Sequence, residues 1–188
     1  MPQMVLEYVL KKQGIDPETD LEIDQSIDFG STAAAFSSGK GDYTVEFEPS
    51  ATALEKEGAG FVVASLGEAS GYVPYTAFSA RKSYLEANPE ILQKFTNAIQ
   101  KGMDYVGSHT PDEIASTIQN QFAETDLSTM TAIVKRYQDQ DTWKEDLIFQ
   151  EDAFVLLQEI LIEAKELETL LPYEDLVVTS FAETAWTK

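Results

Sequence analysis

The stretch GKGDYTVEFEPSATALEKEG, residues 39–58, decides the fold expected from the sequence. It reads as turn, strand, corner and helix. Gly39 and Gly41 punctuate the end of a preceding helix. Residues 42–47 are rich in Tyr, Thr, Val and Phe, which suit a pleated surface. Pro49 fits the first turn of a helix, residues 50–57 continue it, and Gly58 stops it. Glu48 is thereby predicted at the end of a strand and the start of a helix. In open α/β sheets, strand C-termini and helix N-termini converge on the crevice that holds ligand. A carboxylate there selects hydrogen-bond donors or positive charge. The plain alternative is a solvated corner residue.

Upstream, residues 2–13 carry Met4, Val5, Tyr8, Val9 and Leu10 at helical spacing, with Pro2 in the first turn and Gly14 as terminator. Residues 21–27 alternate as a strand does. Asp28 or Ser31 is placed to cap a short helix through Ala33–Ala35 and Phe36. Downstream, residues 60–66 form a short apolar run of the kind buried on both faces of a sheet. Helix, strand, helix, strand, helix, strand is the alternation of a parallel sheet covered by helices. Residues 67–74 read as a hinge, and residues 75–80 as one more strand.

Beyond that point the pattern turns helical. Residues 83–87 are a helical turn, and Asn88-Pro89 breaks and restarts it. Residues 89–106 place Ile91, Leu92, Phe95, Ala98, Ile99, Met103 and Val106 on one stripe. Thr110-Pro111-Asp112-Glu113 opens a helix to about Phe122. Asp126 or Ser128 opens another, to Tyr137. Residues 141–146 are a polar connection containing Trp143. Residues 150–171 carry a further apolar stripe with a break near Ala164, Pro172 ends it, and residues 173–178 close with a short helix.

Composition narrows the function. The chain has 188 residues, 43% of them hydrophobic, so a packed core is expected. Thirty-three acidic against 13 basic residues give a net charge of -20. Phosphates need Lys and Arg, so nucleic acid is an unfavourable partner, and anionic lipid equally so. There is no cysteine, which removes disulfides and thiolate chemistry within the chain. No apolar run is long enough to span a bilayer, so no membrane insertion is expected. Met1 leads almost directly into an amphipathic segment, so any export signal is expected outside this chain.

The arrangement GDYTVEFEPSATALEKEG followed by GFVVASLGEASGYVPYTAFSARKSYLEANPEILQKFTNAIQKGMDYV resembles the extracytoplasmic solute-binding proteins of bacterial ABC importers. The nearest group is the nitrate/sulfonate/taurine and thiamine-pyrimidine family (NMT1/THI5-like, SsuA-like). In that family a strand ending in Glu-Pro leads into a helix of the second lobe, and another strand returns to the first. The Asn-Pro-Glu start of a long helix matches residues 88–106. The resemblance implies an α/β fold of the type II periplasmic-binding-protein kind. Residues 1–72 are then the α/β second lobe, a mostly parallel sheet with helices on both faces. Residues 73–82 become the hinge and return strand, and residues 83–188 the helical C-terminal part of the first lobe. It further implies that the front of the first lobe, with half of the ligand cleft, an export signal and a lipidated cysteine, lies upstream.

The resemblance places few candidate ligand contacts on this chain. Pro2 lies beside Met1 at the first helix N-terminus. Ser31 and Thr32 open the second helix, where capping is the competing role. Glu48 stands at the corner with Ser50 beside it. Tyr72 and Tyr75 flank the hinge and are able to stack on a flat ring or to pack the hinge. An acidic Glu48 among aromatics favours an aminopyrimidine-like solute over sulfonate or nitrate, since only Lys40 and Lys56 are near in sequence. No cofactor or metal is expected. Asp16, Asp20, Glu22 and Asp24 read as a turn and a solvated face rather than a calcium loop. Two alternatives remain. One is a thiamine-pyrimidine synthase-like enzyme, although the single histidine, His109, falls in a helix–helix turn. The other is an acidic helical protein-interaction module. Expected partners are a small solute, an ABC permease in the full-length family, and a second copy through an unpaired strand or helix exchange.

Overall fold

The computed structural model describes residues 1–187. Its described elements are helical: α1 (Pro2–Lys12), α2 (Thr32–Ser37), α3 (Ser50–Glu57), α4 (Leu66–Ser70), α5 (Lys82–Ala87), α6 (Pro89–Ser108), α7 (Pro111–Ile118), α8 (Leu127–Asp139), α9 (Glu151–Glu163), α10 (Tyr173–Leu176) and α11 (Ser180–Trp186). Short 3₁₀ turns precede α2, at Phe29–Ser31, and follow α7, at Gln119–Gln121. The chain divides into two units that interleave in sequence. The first takes Met1–Ser70 and Pro111–Gln140; the second takes Gly71–Thr110 and the chain from Asp141 onward.

The α/β expectation is overturned. Among the described residues there is no strand and no sheet, so residues 1–72 do not form a mostly parallel sheet. The runs read as strands, 21–27, 42–47, 60–66 and 75–80, are irregular backbone, except that Leu66 already belongs to α4. No backbone hydrogen bond joins any two of these runs among the described residues. The physical reason is that β propensity measures fit to a pleated, half-buried surface. A strand also needs a neighbour's row of N–H and C=O groups. Here Val62 N–H finds a carboxylate instead, Glu55 Oε1 at 2.9 Å. Phe61, Val63 and Phe78, read as buried sheet positions or strand residues, remain largely exposed.

In the first unit α7 and α8 pack on each other, α3 packs on α8, and α1 on α4. The core is Leu54 of α3, Ile114 and Ala115 of α7, and Met130, Ile133 and Val134 of α8. Spacings of three and four residues put Met130, Ile133 and Val134 on one face of α8. Fully burying one such side chain stabilises by about 1.5–3 kcal/mol. Asp126 caps α8 by accepting from Thr129 N at 3.0 Å. Gly58 stops α3 in the left-handed region, at φ 69°, which a residue with a Cβ adopts only at a cost. At Gly60 a Cβ would come within 2.7 Å of the Phe36 ring, so the chain at Gly60 lies flush against α2.

In the second unit α6 packs on α11, with Ala182 and Ala185 buried, while Phe154 and Ile160 of α9 are buried elsewhere in it. Phe78 packs edge-on against Phe95 of α6, centroids 4.8 Å apart. Two buried glutamines hold loops. Gln100 Nε2 donates to Glu145 O at 2.7 Å. Gln158 accepts from Leu171 N at 2.7 Å and donates to Leu171 O at 3.3 Å. α9 ends at Glu163, and Lys165 follows it with φ 62°, so the apolar stripe running on to Leu171 is not one helix.

Candidate functional site

The Glu-Pro corner does exist, without the strand. Glu48 precedes Pro49, the N-cap of α3, across a cis peptide bond. Its side chain is only 5% exposed. One oxygen, Oε2, accepts from Thr52 N at 3.1 Å, inside the first turn of α3. That exploits a helix N-terminus, where unpaired N–H groups face an anion. The other oxygen, Oε1, pairs with Arg136 Nη1. Arg136 Nη2 pairs in turn with Glu55 Oε2, whose other oxygen holds Val62 N.

Arg136 thus forks between two carboxylates, Glu48 just ahead of α3 and Glu55 near its C-terminal end. The guanidinium suits this because its planar donors point in fixed directions. Partial burial works against its charge, but the two carboxylates more than offset this and its pKa is raised. The Glu55 carboxyl is held below its usual range, first by the Val62 backbone bond and then by Arg136, against some burial. Next along α8, burial pushes the Tyr137 phenol up, and the Glu48 charge adds to this, while its oxygen engages the Glu48 backbone. Lys56 completes the α3–α8 seam, donating to Ser128 Oγ at 3.2 Å and Thr129 Oγ1 and lying 3.9 Å from Asp126. Sequence reasoning missed Arg136. The one available signal was a basic residue in the last turn of an amphipathic helix, which does not point to Glu48.

The other expected residues of the first unit do not join this cluster through any hydrogen bond described here. Ser50 opens α3 directly after Pro49. Ser31 makes no side-chain cap at the start of α2, and Thr32 Oγ1 donates to Phe29 O at 2.8 Å. Pro2 opens α1. A shallow acidic hollow of about 520 Å³ lies between Glu7 and the loop carrying Glu18, Leu21, Glu22 and Gln25, and none of the expected residues lines it.

In the second unit Tyr72 and Tyr75 are each 65% exposed. Tyr72 OH donates to Asp141 Oδ2 at 2.8 Å, and Lys144 Nζ lies 3.6 Å from the centroid of the Tyr72 ring. Lys144 also pairs with Asp141. His109 stacks on Tyr105 with centroids 3.7 Å apart, and its Nδ1 is 2.8 Å from Tyr105 O and 3.0 Å from Ser108 Oγ. The Ser108 hydroxyl donates to Asp104 O at 2.6 Å, so it is tied into the end of α6. Among the described residues, no group of three or more His, Asp or Glu is arranged to hold a metal ion. Among the described residues, too, no helix is long and apolar enough to cross a membrane.

Comparison with known proteins gives the family. The profile of the NMT1-like family matches residues 1–120. A Bacillus subtilis (strain 168) protein named "Putative binding protein YtlA" is 44% identical over 183 residues, covering 97% of this chain and 55% of that protein. The chain therefore spans about half the length of the curated relative it matches. No solved structure matches. The match over residues 1–120 takes in more than half of the chain, and this chain belongs to the NMT1-like family.

Proposed function

We propose that the chain is part of the solute-binding component of an ABC importer and takes a small organic solute outside the cytoplasm. The observation that carries this reading is the 44% identity to a relative named as a binding protein, over 97% of the chain. An ABC permease is the proposed protein partner. A second copy is the other, because the runs bearing Phe61, Val63 and Phe78 leave apolar surface exposed.

Charge chooses among the solutes. Glu48, Arg136 and Glu55 together carry one net negative charge when the carboxylates are ionised. The chain as a whole carries -20. Both repel a bare nitrate or sulfonate, and both suit a solute bearing amino or ring N–H donors. An aminopyrimidine-like solute is therefore proposed ahead of a sulfonate. Glu48 is proposed to act through its backbone and through Ser50 at the α3 N-terminus rather than by an open carboxylate, because its side chain is covered. Ser31, Thr32 and Pro2, at the N-termini of α2 and α1, are proposed as lesser polar contacts. Tyr75, like Tyr72, is proposed as an aromatic contact.

The reading is a binder and not an enzyme, so a bound solute leaves unchanged. Calorimetric titration of the chain with 4-aminopyrimidine, methanesulfonate and nitrate tests it. Weak binding of one of them, with the solute recovered intact by NMR, is the expected result. Recovery of a converted product would replace the binding reading by an enzymatic one.

A further inference from the structure

We propose that Asp141 and Lys144 are positioning residues that hold the Tyr72 ring as a platform for a planar aromatic solute. The inference rests on the solute-binding reading and specifies its chemistry in the second unit. Three observations meet on one ring. The Tyr72 hydroxyl donates to Asp141 Oδ2 at 2.8 Å, which fixes the far end of the side chain. The Lys144 ammonium lies 3.6 Å from the ring centroid, well inside cation–π range, and covers one face. Lys144 is itself anchored by its ion pair to the same Asp141 oxygen.

The brace is built at a cost. Asp141 adopts φ 52°, a left-handed conformation uncommon for a residue with a side chain, though tolerated best by Asn and Asp. It brings the carboxylate to the Tyr72 hydroxyl and the Lys144 ammonium together. Those two hydrogen bonds hold the Asp141 carboxyl below its usual range. At Lys144 partial burial opposes the charge, yet the bonds to Asp141 and Tyr72 win and its pKa is raised. Asp141 and Lys144 thus both stay charged near neutral pH, the state that keeps their ion pair closed.

Such a brace is not explained by covering apolar area. Tyr72 remains 65% exposed with Lys144 on one face, so its other face is available. The hydrogen bond to a carboxylate makes the phenol ring more electron-rich. An electron-poor planar ring stacks well on such a face, and ordering the tyrosine beforehand lowers the entropy lost when it does so.

The test is calorimetry on the 188-residue chain with two probes, 4-aminopyrimidine and methanesulfonate. Tyr72→Ala is expected to weaken 4-aminopyrimidine by about tenfold or more, the scale of base–aromatic stacking. Lys144→Met is expected to weaken it by about two- to fivefold, the scale of an exposed cation–π contact. Lys144→Arg keeps a cation on the ring and is expected to restore binding. Asp141→Asn keeps the backbone conformation and an acceptor but removes the charge, and falls between. Tyr72→Trp retains a platform and binds. Methanesulfonate, having no ring to stack, is expected to show no difference among the variants. Unchanged 4-aminopyrimidine binding in Tyr72→Ala or Lys144→Met overturns the platform while leaving the solute-binding reading standing. Binding of methanesulfonate alone does the same. Binding of neither probe overturns the platform.

Discussion

Replacing Arg136 with Met is the most informative perturbation of the first unit. The guanidinium is 23% exposed, and its partners Glu48 and Glu55 are 5% and 31% exposed. Met keeps most of the apolar stem of the side chain, so the change isolates the charge and its hydrogen bonds. After the change, Glu55 still holds Val62 N, and water reaches its carboxylate. Glu48 is left with Thr52 N alone, and its carboxylate is nearly closed off from solvent. Removing one partner of a fully buried pair costs about 3–5 kcal/mol, and an exposed pair is worth under about 1 kcal/mol. One nearly buried and one partly exposed arm place the expected loss at about 3 kcal/mol. Urea unfolding at pH 7, followed by far-UV circular dichroism, measures it. The double variant Glu48→Gln/Arg136→Met removes the stranded charge as well, and is expected to recover about half of the loss. A cost below about 1 kcal/mol for Arg136→Met would refute the reasoning, because the trio would then behave as a surface ion pair. So would a double variant no more stable than the single one.

Three further outcomes follow from the same geometry. The Glu55 carboxyl is depressed in the folded state relative to its ordinary 4.5, so its stabilisation is present above that pH and is lost as pH falls through the folded value. The stability gap between the wild type and Glu55→Gln, read by urea unfolding, should therefore shrink on going from pH 7 to pH 3, and a gap that widens contradicts the assignment. Ile114 is 2% exposed at the α7–α8 contact, and Ile114→Ala is expected to cost about 2–5 kcal/mol in the same assay. Gln158→Leu removes both bonds to Leu171 and strands a backbone N–H, with an expected loss of about 1–3 kcal/mol and faster amide exchange at Leu171.

Much of the helical framework was legible in residue order. Pro89 after Asn88 starts α6, Asp126 caps α8, and Gly58 ends α3 in the left-handed region. These signals are local, since each depends on backbone groups within a few residues of the side chain that sets them. The Glu-Pro corner was legible for the same reason. What surrounds it was not. Arg136 reaches Glu48 across 88 positions and Lys56 reaches Thr129 across 73, and no pattern within a helix turn encodes such pairings. Knowing only the order of residues, Glu48 looks like a carboxylate open to a ligand; folding closes it against a guanidinium.

The runs read as strands teach the complementary lesson. Tyr, Val, Phe and Thr at 42–47 and 60–65 make those segments able to be strands, and the order of residues determines that much. Whether they become a sheet depends on ladder partners brought from elsewhere in the chain, and among the described residues no such ladder forms. Composition, charge, the starts of α6 and α8, the end of α3 and the family were therefore set by the amino-acid sequence itself. The pairing of Glu48 with Arg136, the brace on Tyr72 and the absence of a sheet among the described residues were decided by tertiary structure, because each depends on which distant groups come within bonding distance.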